Sequence, residues 1–541
     1  MFVQITKSGR GKKKYTSYLI RESFRTPQGP RSRTICNITG LPPFLRDLIA
    51  AALRGQSLVP AQELKLDNAL DAGGLVVLVD AWKRYGLDSL LEGVGSARSR
   101  GLIQAMIFAR LLFPCAKMAL AEQARGTLLA KACGLASDES FDEDDLYEAM
   151  DELNGGWVKM EKALYQKSFP QGVRLVLYDL TSVYFEGKGP AGLSQYGHSR
   201  DHRPDRPQII LAVATDLEGA PIHLEVLRGN RADNTTLTGL LSNLRRRFGI
   251  QEAMFVFDGG MSSRLNLEAL SAAKLEYVTR LSSASMAALL KALPQENQPE
   301  LGDRKNLIEV EHEGKRYIIA GGPWRQQRDL ERRQCRIQKA EAELKRLAAV
   351  SRKKVQAQKL VSQVGRMLER KKAHKYFSYQ VDEQGKLLWQ RKSDTIAQEE
   401  QLDGWYLLHS NAPVEKVGSQ KVLEHYKGLL EIEEAFGELK SYLEVRPVFH
   451  RRPDRVRNHV RICFLAYWLS ARLSREWRGK KEAGEVPRIL RELQTIRVGT
   501  VLAGTTKIST LLTKIPAELN ELLIKLNLLK LFSQPPAWAQ S

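Results

Sequence analysis

Between residues 171 and 282 the chain alternates strand and helix signals in an order that few folds accommodate. Leu175–Tyr178 is a short apolar run with β-branched and aromatic content, bounded upstream by Gly172. It reads as a strand that ends on a carboxylate, Asp179. Gln208–Thr215 (QIILAVAT) and Pro221–Leu227 (PIHLEVL) follow as a hairpin around the turn Asp216–Gly219. Asp233 can cap a helix over Thr235–Phe248, with Leu237, Leu240, Leu241 and Leu244 on its inner face. Ala253–Phe257 (AMFVF) is a fourth strand, ending on Asp258, and Gly259-Gly260 permit a tight exit. Ser262–Ala273 reads as a helix and Glu276–Leu281 (EYVTRL) as a fifth strand. Three strands, helix, strand, helix, strand predicts an α/β core: a mixed five-stranded sheet with helices against it.

An acid at the end of a buried strand is costly unless it is paired or holds a metal. Alone, Asp179 reads more simply as a turn cap. Asp258 ends the neighbouring strand, and a third acid lies far downstream in Lys421–Tyr442, KVLEHYKGLLEIEEAFGELKSY. There Tyr426, Glu433 and Lys440 are each seven apart, two turns of a helix, so they share one stripe beside Phe436. A purely structural stripe would be apolar. The spacing selects Glu433, whereas Glu431 and Glu434 point elsewhere around the helix. Hard oxygen ligands from Asp179, Asp258 and Glu433 suit Mg²⁺ or Mn²⁺. Two such ions can drive an in-line phosphodiester displacement. Lys440 would reach an adjacent phosphate, and Tyr426 a sugar or phosphate oxygen.

The composition of the whole chain favours a polyanionic partner. Against 62 acids stand 83 Lys and Arg, a net charge of +21, which points to nucleic acid. No basic amphipathic helix with aromatic anchors suggests a membrane surface instead. The 541 residues, at about 150 per domain, predict three or four domains. Five scattered cysteines with no Cys-x-x-Cys argue against a cysteine zinc site and suit a reducing compartment. The start carries no apolar run after its charges, and no run reaches 18 apolar residues. A cytoplasmic or DNA-bound protein is expected. Residues 1–40 read as a β-hairpin whose basic tip, with Lys12, Lys13 and Lys14, either touches phosphate or is merely solvated. Residues 41–170 read as helical, either a DNA-binding region or a plain bundle, with Ser140 opening a capping box. Residues 283–410 interrupt the core with a basic helical and β insertion, its apolar stripe formed by Ala340, Leu344, Leu347, Leu360, Val364 and Met367. It is either a DNA surface or a solvated coiled-coil face. Residues 411–475 complete the core with the Glu433 helix, and 476–541 read as helical.

The motifs YDLTSVYFEG, DLEGAPIHLEVLRGNRADNTTL, FVFDGGMSS and YKGLLEIEEAFGELKSYLEVRPVFH, in that order, resemble the DDE transposases of bacterial insertion sequences. The set Tyr426, Glu433, Lys440 is similar to the branch with a Y-x2-R-x3-E-x6-K signature, over roughly residues 171–470. The signature's Arg falls at Leu429, so that contact is missing or moved, Lys427 being the nearest substitute. The resemblance implies a ribonuclease-H-like core and metal ligation by Asp179, Asp258 and Glu433. It also implies cut-and-paste transposition by a dimer at terminal inverted repeats, with strand transfer into target DNA. A structure-specific nuclease on the same scaffold, or a DNA-binding protein without catalysis, are the alternatives.

Overall fold

The structure is a computed structural model. It describes the chain apart from residues 9–14, 57–62, 137–139, 232–235, 295, 297, 298, 300, 302–306, 350–356, 383, 481–485 and 541. Lys12, Lys13, Lys14 and the predicted cap Asp233 lie outside the described residues. Two compact units result, Gly74–Leu493 and a second made of Met1–Gly73 with Gln494–Ser541.

The larger unit is built on one mixed sheet. Its strands are β1 (Leu175–Tyr184), β2 (Gln208–Thr215), β3 (Pro221–Arg228), β4 (Met254–Phe257), β5 (Glu276–Arg280), β6 (Leu307–His312), β7 (Lys315–Gly321) and β8 (Trp405–Ser410). Their order is β6-β7-β8-β5-β4-β1-β2-β3. The meander β1-β2-β3 is antiparallel, whereas β4 and β5 run parallel to β1. The sheet therefore has eight strands where five were expected. The difference lies in the insertion, whose strands extend the sheet from the β5 edge instead of forming a separate body: Leu408 pairs with Arg280. An exposed edge is an aggregation hazard, and these strands cover it.

Strand β1 also runs further than its apolar core suggests. Thr181 to Tyr184 continue the ladder with β2 (Val183 opposite Ile209), so Asp179 sits mid-strand. Only its pairing with β4 stops near the acid. Beneath the sheet lie α1 (Leu237–Phe248) and α2 (Arg264–Ala272). Leu237, Leu240, Leu241 and Leu244 pack there against Val176, Tyr178, Ile210 and Phe255.

Helices Ala97–Leu112, Glu143–Asp151 and Leu153–Ser168 surround α5 (Pro453–Trp477) in this same unit. The cap of the second is Asp142, whose carboxylate accepts from the Asp144 and Asp145 amides at 2.9 and 3.0 Å, rather than Ser140. Acid three residues on completes the box, and Asp145 supplies it from the first turn. The insertion's paired helices, Pro323–Ala348 and Ala357–Arg370, bury the stripe Ala340, Leu344, Leu347, Leu360, Val364 and Met367 in a core of their own. That core is closed by the hairpin Phe377–Val381 and Leu387–Arg391.

In the smaller unit, Phe2–Ser8, Tyr15–Thr26 and Gly29–Asn37 form three antiparallel strands, one more than the expected hairpin. The region expected to be helical at the C-terminus contains two strands, Arg497–Ala503 and Thr506–Leu512, which pair with each other and with Leu64–Asp71. Their β-branched residues and the turn at Gly504 carry a strand signal that the neighbouring leucine runs obscure. Among the described residues no single helix is long and apolar enough to cross a membrane; one bent pair, Ala97–Leu112 with Lys117–Ala124, meets the length and composition only jointly.

Candidate active site

Three separate elements bring acids to one cavity of about 430 Å³, lined by Asp179, Asp258 and Glu433 together with Arg200, Met261 and Phe436. Asp179 comes from β1. Asp258 directly follows β4 and starts a short 3₁₀ turn, Gly259–Met261. A Cβ at Gly259 would stand 2.6 Å from the Arg280 carbonyl oxygen, so only glycine lets the backbone pass β5 this closely. Glu433 projects from α4 (Leu429–Gly437), which packs on β1.

The electrostatics of this cavity are unfavourable as it stands. Desolvation pushes the Asp179 carboxyl up to about 7, and the negative charges of Asp258 and Glu433 add to it. The Leu180 amide, which donates to Asp179 Oδ1 at 2.7 Å, and the positive charge of Arg200 oppose the rise. Among the described residues, no three His, Cys, Asp or Glu side chains close on a single ion-sized point. The acids share a cavity, not one coordination point. Their all-oxygen character and mutual repulsion fit a hard divalent cation, whose charge would relieve both.

The neighbouring acids face elsewhere. Glu431 and Glu434 line a different cavity with Glu218, Tyr467 and Arg478. The expected single helix 421–442 is three segments: α3 (Ser419–Lys427), α4, and a π-turn over Glu438–Tyr442. Gly428 separates the first two, and a Cβ there would meet Leu217 at 2.5 Å. The wider π-turn carries Lys440 off the line that regular helical spacing predicts. Its ammonium is instead buried against Asp201, at 2.7 Å. Desolvation lowers its pKa, and Asp201 resists the change.

Tyr426, on α3, is half-buried beside Tyr406, with ring centroids 5.9 Å apart. Its hydroxyl is pushed up to about 12, first by burial and then by Asp258, so it stays protonated. Arg280 and Arg325 stand 5.9 and 4.7 Å from the Tyr406 ring. Lys427 is exposed at the end of α3. The sequence reading did not single out Arg200, Asp201, Arg280 or Arg325. The only hint was the run HSRDHRPDR between β1 and β2, too long and too polar for a hairpin turn.

The class to which this chain belongs is that of the DNA transposases. The profile of the family described as transposase DDE domain matches residues 170–469, over half of the chain. The chain belongs to that family, and it is an enzyme that cleaves DNA and transfers strands. Members generally act through divalent metal ions. Among solved structures it is similar to the cryo-EM structure of the piggyBac transposase synaptic complex with hairpin DNA, at 8% identity and a TM-score of 0.38, over 79% of this chain and 77% of that one. No curated protein is similar enough to count as a match.

Proposed function

We propose that this transposase moves a bacterial insertion sequence by a cut-and-paste route, with Asp179, Asp258 and Glu433 as its catalytic acids. The observation that carries the reading is their shared cavity, reached from β1, the end of β4 and α4. The core strands in the order β5-β4-β1-β2-β3, an antiparallel meander flanked by two parallel strands, support a ribonuclease-H-like description. Asp179, Asp258 and Glu433 would hold Mg²⁺ or Mn²⁺, two ions in all. Such ions, when bound, lower the pKa of the attacking water or 3′-hydroxyl and stabilise the leaving oxygen. The protein's own part is to hold the acids in register, shape the cavity wall with Met261 and Phe436, and present cations to the phosphates around it. Tyr426, whose phenol feels the charge of Asp258, is a candidate hydroxyl donor on that side, and Lys440 with Lys427 are cations of the same helical segments. Lys12, Lys13 and Lys14 are further candidate phosphate contacts. We expect a homodimer at the two terminal inverted repeats, acting on the nucleoid in the bacterial cytoplasm. The excess of Lys and Arg, a net charge of +21, supports the DNA contacts.

The test uses duplexes that carry the DNA flanking the gene, with Mg²⁺ and a target plasmid. The expected products are ends cut at the repeat boundary and joined to the plasmid. Asp179→Asn, Asp258→Asn and Glu433→Gln should each drop cutting below detection while DNA binding survives. Cutting without any joined product would favour a nuclease, and cutting that persists in an acid variant would refute the assignment.

A further inference from the structure

Among the described residues, the cavity that holds three carboxylates has one cation in its wall, Arg200. Arg200 comes from the long connection between β1 and β2, and its place there is built. The Arg200 amide donates to Ser182 Oγ at 2.7 Å, and Ser182 is wholly buried on β1, three residues beyond Asp179. The next residue, Asp201, has a carboxylate only 3% exposed, which grips Lys440 at 2.7 Å and Arg446 at 3.0 Å. Its second oxygen is buried with no hydrogen-bond partner. A buried carboxylate held by two cations is expensive to dislodge, because breaking such a set leaves uncompensated charge inside. Further along the connection, Arg203 forks onto Asp205 at 2.9 and 2.8 Å, and Arg206 meets Glu186 at 2.9 Å. The connection is thus held at the Arg200 amide and over the residues that follow it, and Arg200 lines the acid cavity.

An incoming DNA strand needs this feature. Three carboxylates repel phosphate, and a cation at the cavity wall offsets that repulsion where the backbone must pass closest. A guanidinium suits the task, since its planar fork can donate two parallel hydrogen bonds to phosphate oxygens. We propose that Arg200 binds a backbone phosphate of the DNA strand lying in the acid cavity, and that Asp201 is the positioning residue that holds it there through Lys440 and Arg446. This rests on the functional reading above, in which that cavity receives DNA.

The test is a phosphate scan. Binding of a duplex carrying the gene-flanking DNA is measured by fluorescence anisotropy without divalent ions, replacing phosphates one at a time by neutral methylphosphonate. Arg200→Ala is expected to weaken binding by about tenfold or more and to lower the slope against salt by about one. One methylphosphonate position should cost the wild type the same factor and cost Arg200→Ala nothing, while Arg200→Lys keeps part of the sensitivity. Asp201→Asn should blunt the effect at that position and have no further effect there once Arg200 is alanine. If Arg200→Ala keeps the wild-type profile at every phosphate, the inference fails. A variant with a lowered melting temperature is replaced by Arg200→Gln, read at the same position. Because binding is read without cutting, a wild type that binds but never cuts refutes the functional reading and leaves the Arg200 result standing.

Discussion

Tyr178 and Phe257 are register partners on the parallel strands β1 and β4, so the residues that follow them, Asp179 within β1 and Asp258 just past the end of β4, stand side by side. Neighbouring strands lie about 4.8 Å apart, which puts the two acids on one cavity without any loop having to carry them. Beyond this pair β4 stops while β1 continues to Tyr184, and the space vacated by β4 becomes the mouth of the site. A slip of one residue in either strand would send its acid to the opposite face.

Gly259 guards that exit. Gly259→Ala places a methyl group 2.6 Å from the Arg280 carbonyl oxygen, so the turn carrying Asp258 must shift. The expected stability loss is about 1–3 kcal/mol, with a larger relative loss of cleavage because Asp258 moves with its turn. Thermal unfolding and a cleavage assay on the same preparation separate the two. Normal cleavage in a folded variant would refute the tight-exit argument.

Stability of the larger unit should depend on pH through a buried base. Lys117 is fully buried, its ammonium 3.3 Å from His459 Nδ1, and desolvation, reinforced by Arg110, lowers its pKa to about 7. The unfolded chain binds this proton up to the ordinary value of 10.5, so between about 7 and 10.5 the unfolded state carries more protons. Stability therefore rises with pH across that window, by at most about 1.4 kcal/mol per pH unit. His459 acts in the same direction below its ordinary value of 6.5, since burial holds it well below that. Melting temperature against pH should rise through this window in the wild type and flatten in Lys117→Met. An unchanged slope in the variant would assign the pH dependence to other groups.

Within the insertion, Arg333 makes a two-pronged contact with Asp403, both bonds 2.6 Å and both side chains almost enclosed. Removing one partner leaves the other charge buried, at a cost of about 3–5 kcal/mol. Asp403→Ala should expose the insertion to limited proteolysis, and Arg333→Met with Asp403→Leu should largely restore resistance. Equal protection in the single variant and the wild type would refute this.

On the outer surface of the insertion helices Arg332, Lys339, Lys345, Arg366 and Arg370 are all exposed. DNA binding should weaken steeply as salt rises, and each of these residues that meets a phosphate should lower the slope by about one when replaced by alanine. A flat salt response, or a slope untouched by all five, would make the basic face a solvated one.

Much of the site was legible in the primary structure because local patterns and side-chain chemistry suffice for it. Short apolar runs bounded by turn residues gave β2, β3, β4 and β5 nearly at their bounds, and the acids that end or punctuate them are visible by eye. The stripe Ala340–Met367 likewise became a core, since helical periodicity needs no knowledge of the partner. The strands of the smaller unit near the C-terminus were missed because neighbouring leucine runs obscure their hairpin pattern, and their further pairing with Leu64–Asp71, over 400 residues away in the chain, leaves no local trace.

The sequence alone offered the candidate residues of the site and the kinds of element they stand on, for these follow from spacing and from the cost of burying charge. Tertiary structure decided which of them meet. It joined the insertion strands to the central sheet, broke the Glu433 helix at Gly428 and the π-turn, turned Lys440 toward Asp201, and brought Arg200 to the acids. The sheet extension, the Lys440–Asp201 ion pair and the placing of Arg200 are contacts between residues distant along the chain, whose energy depends on the packing around both partners and on no pattern within either.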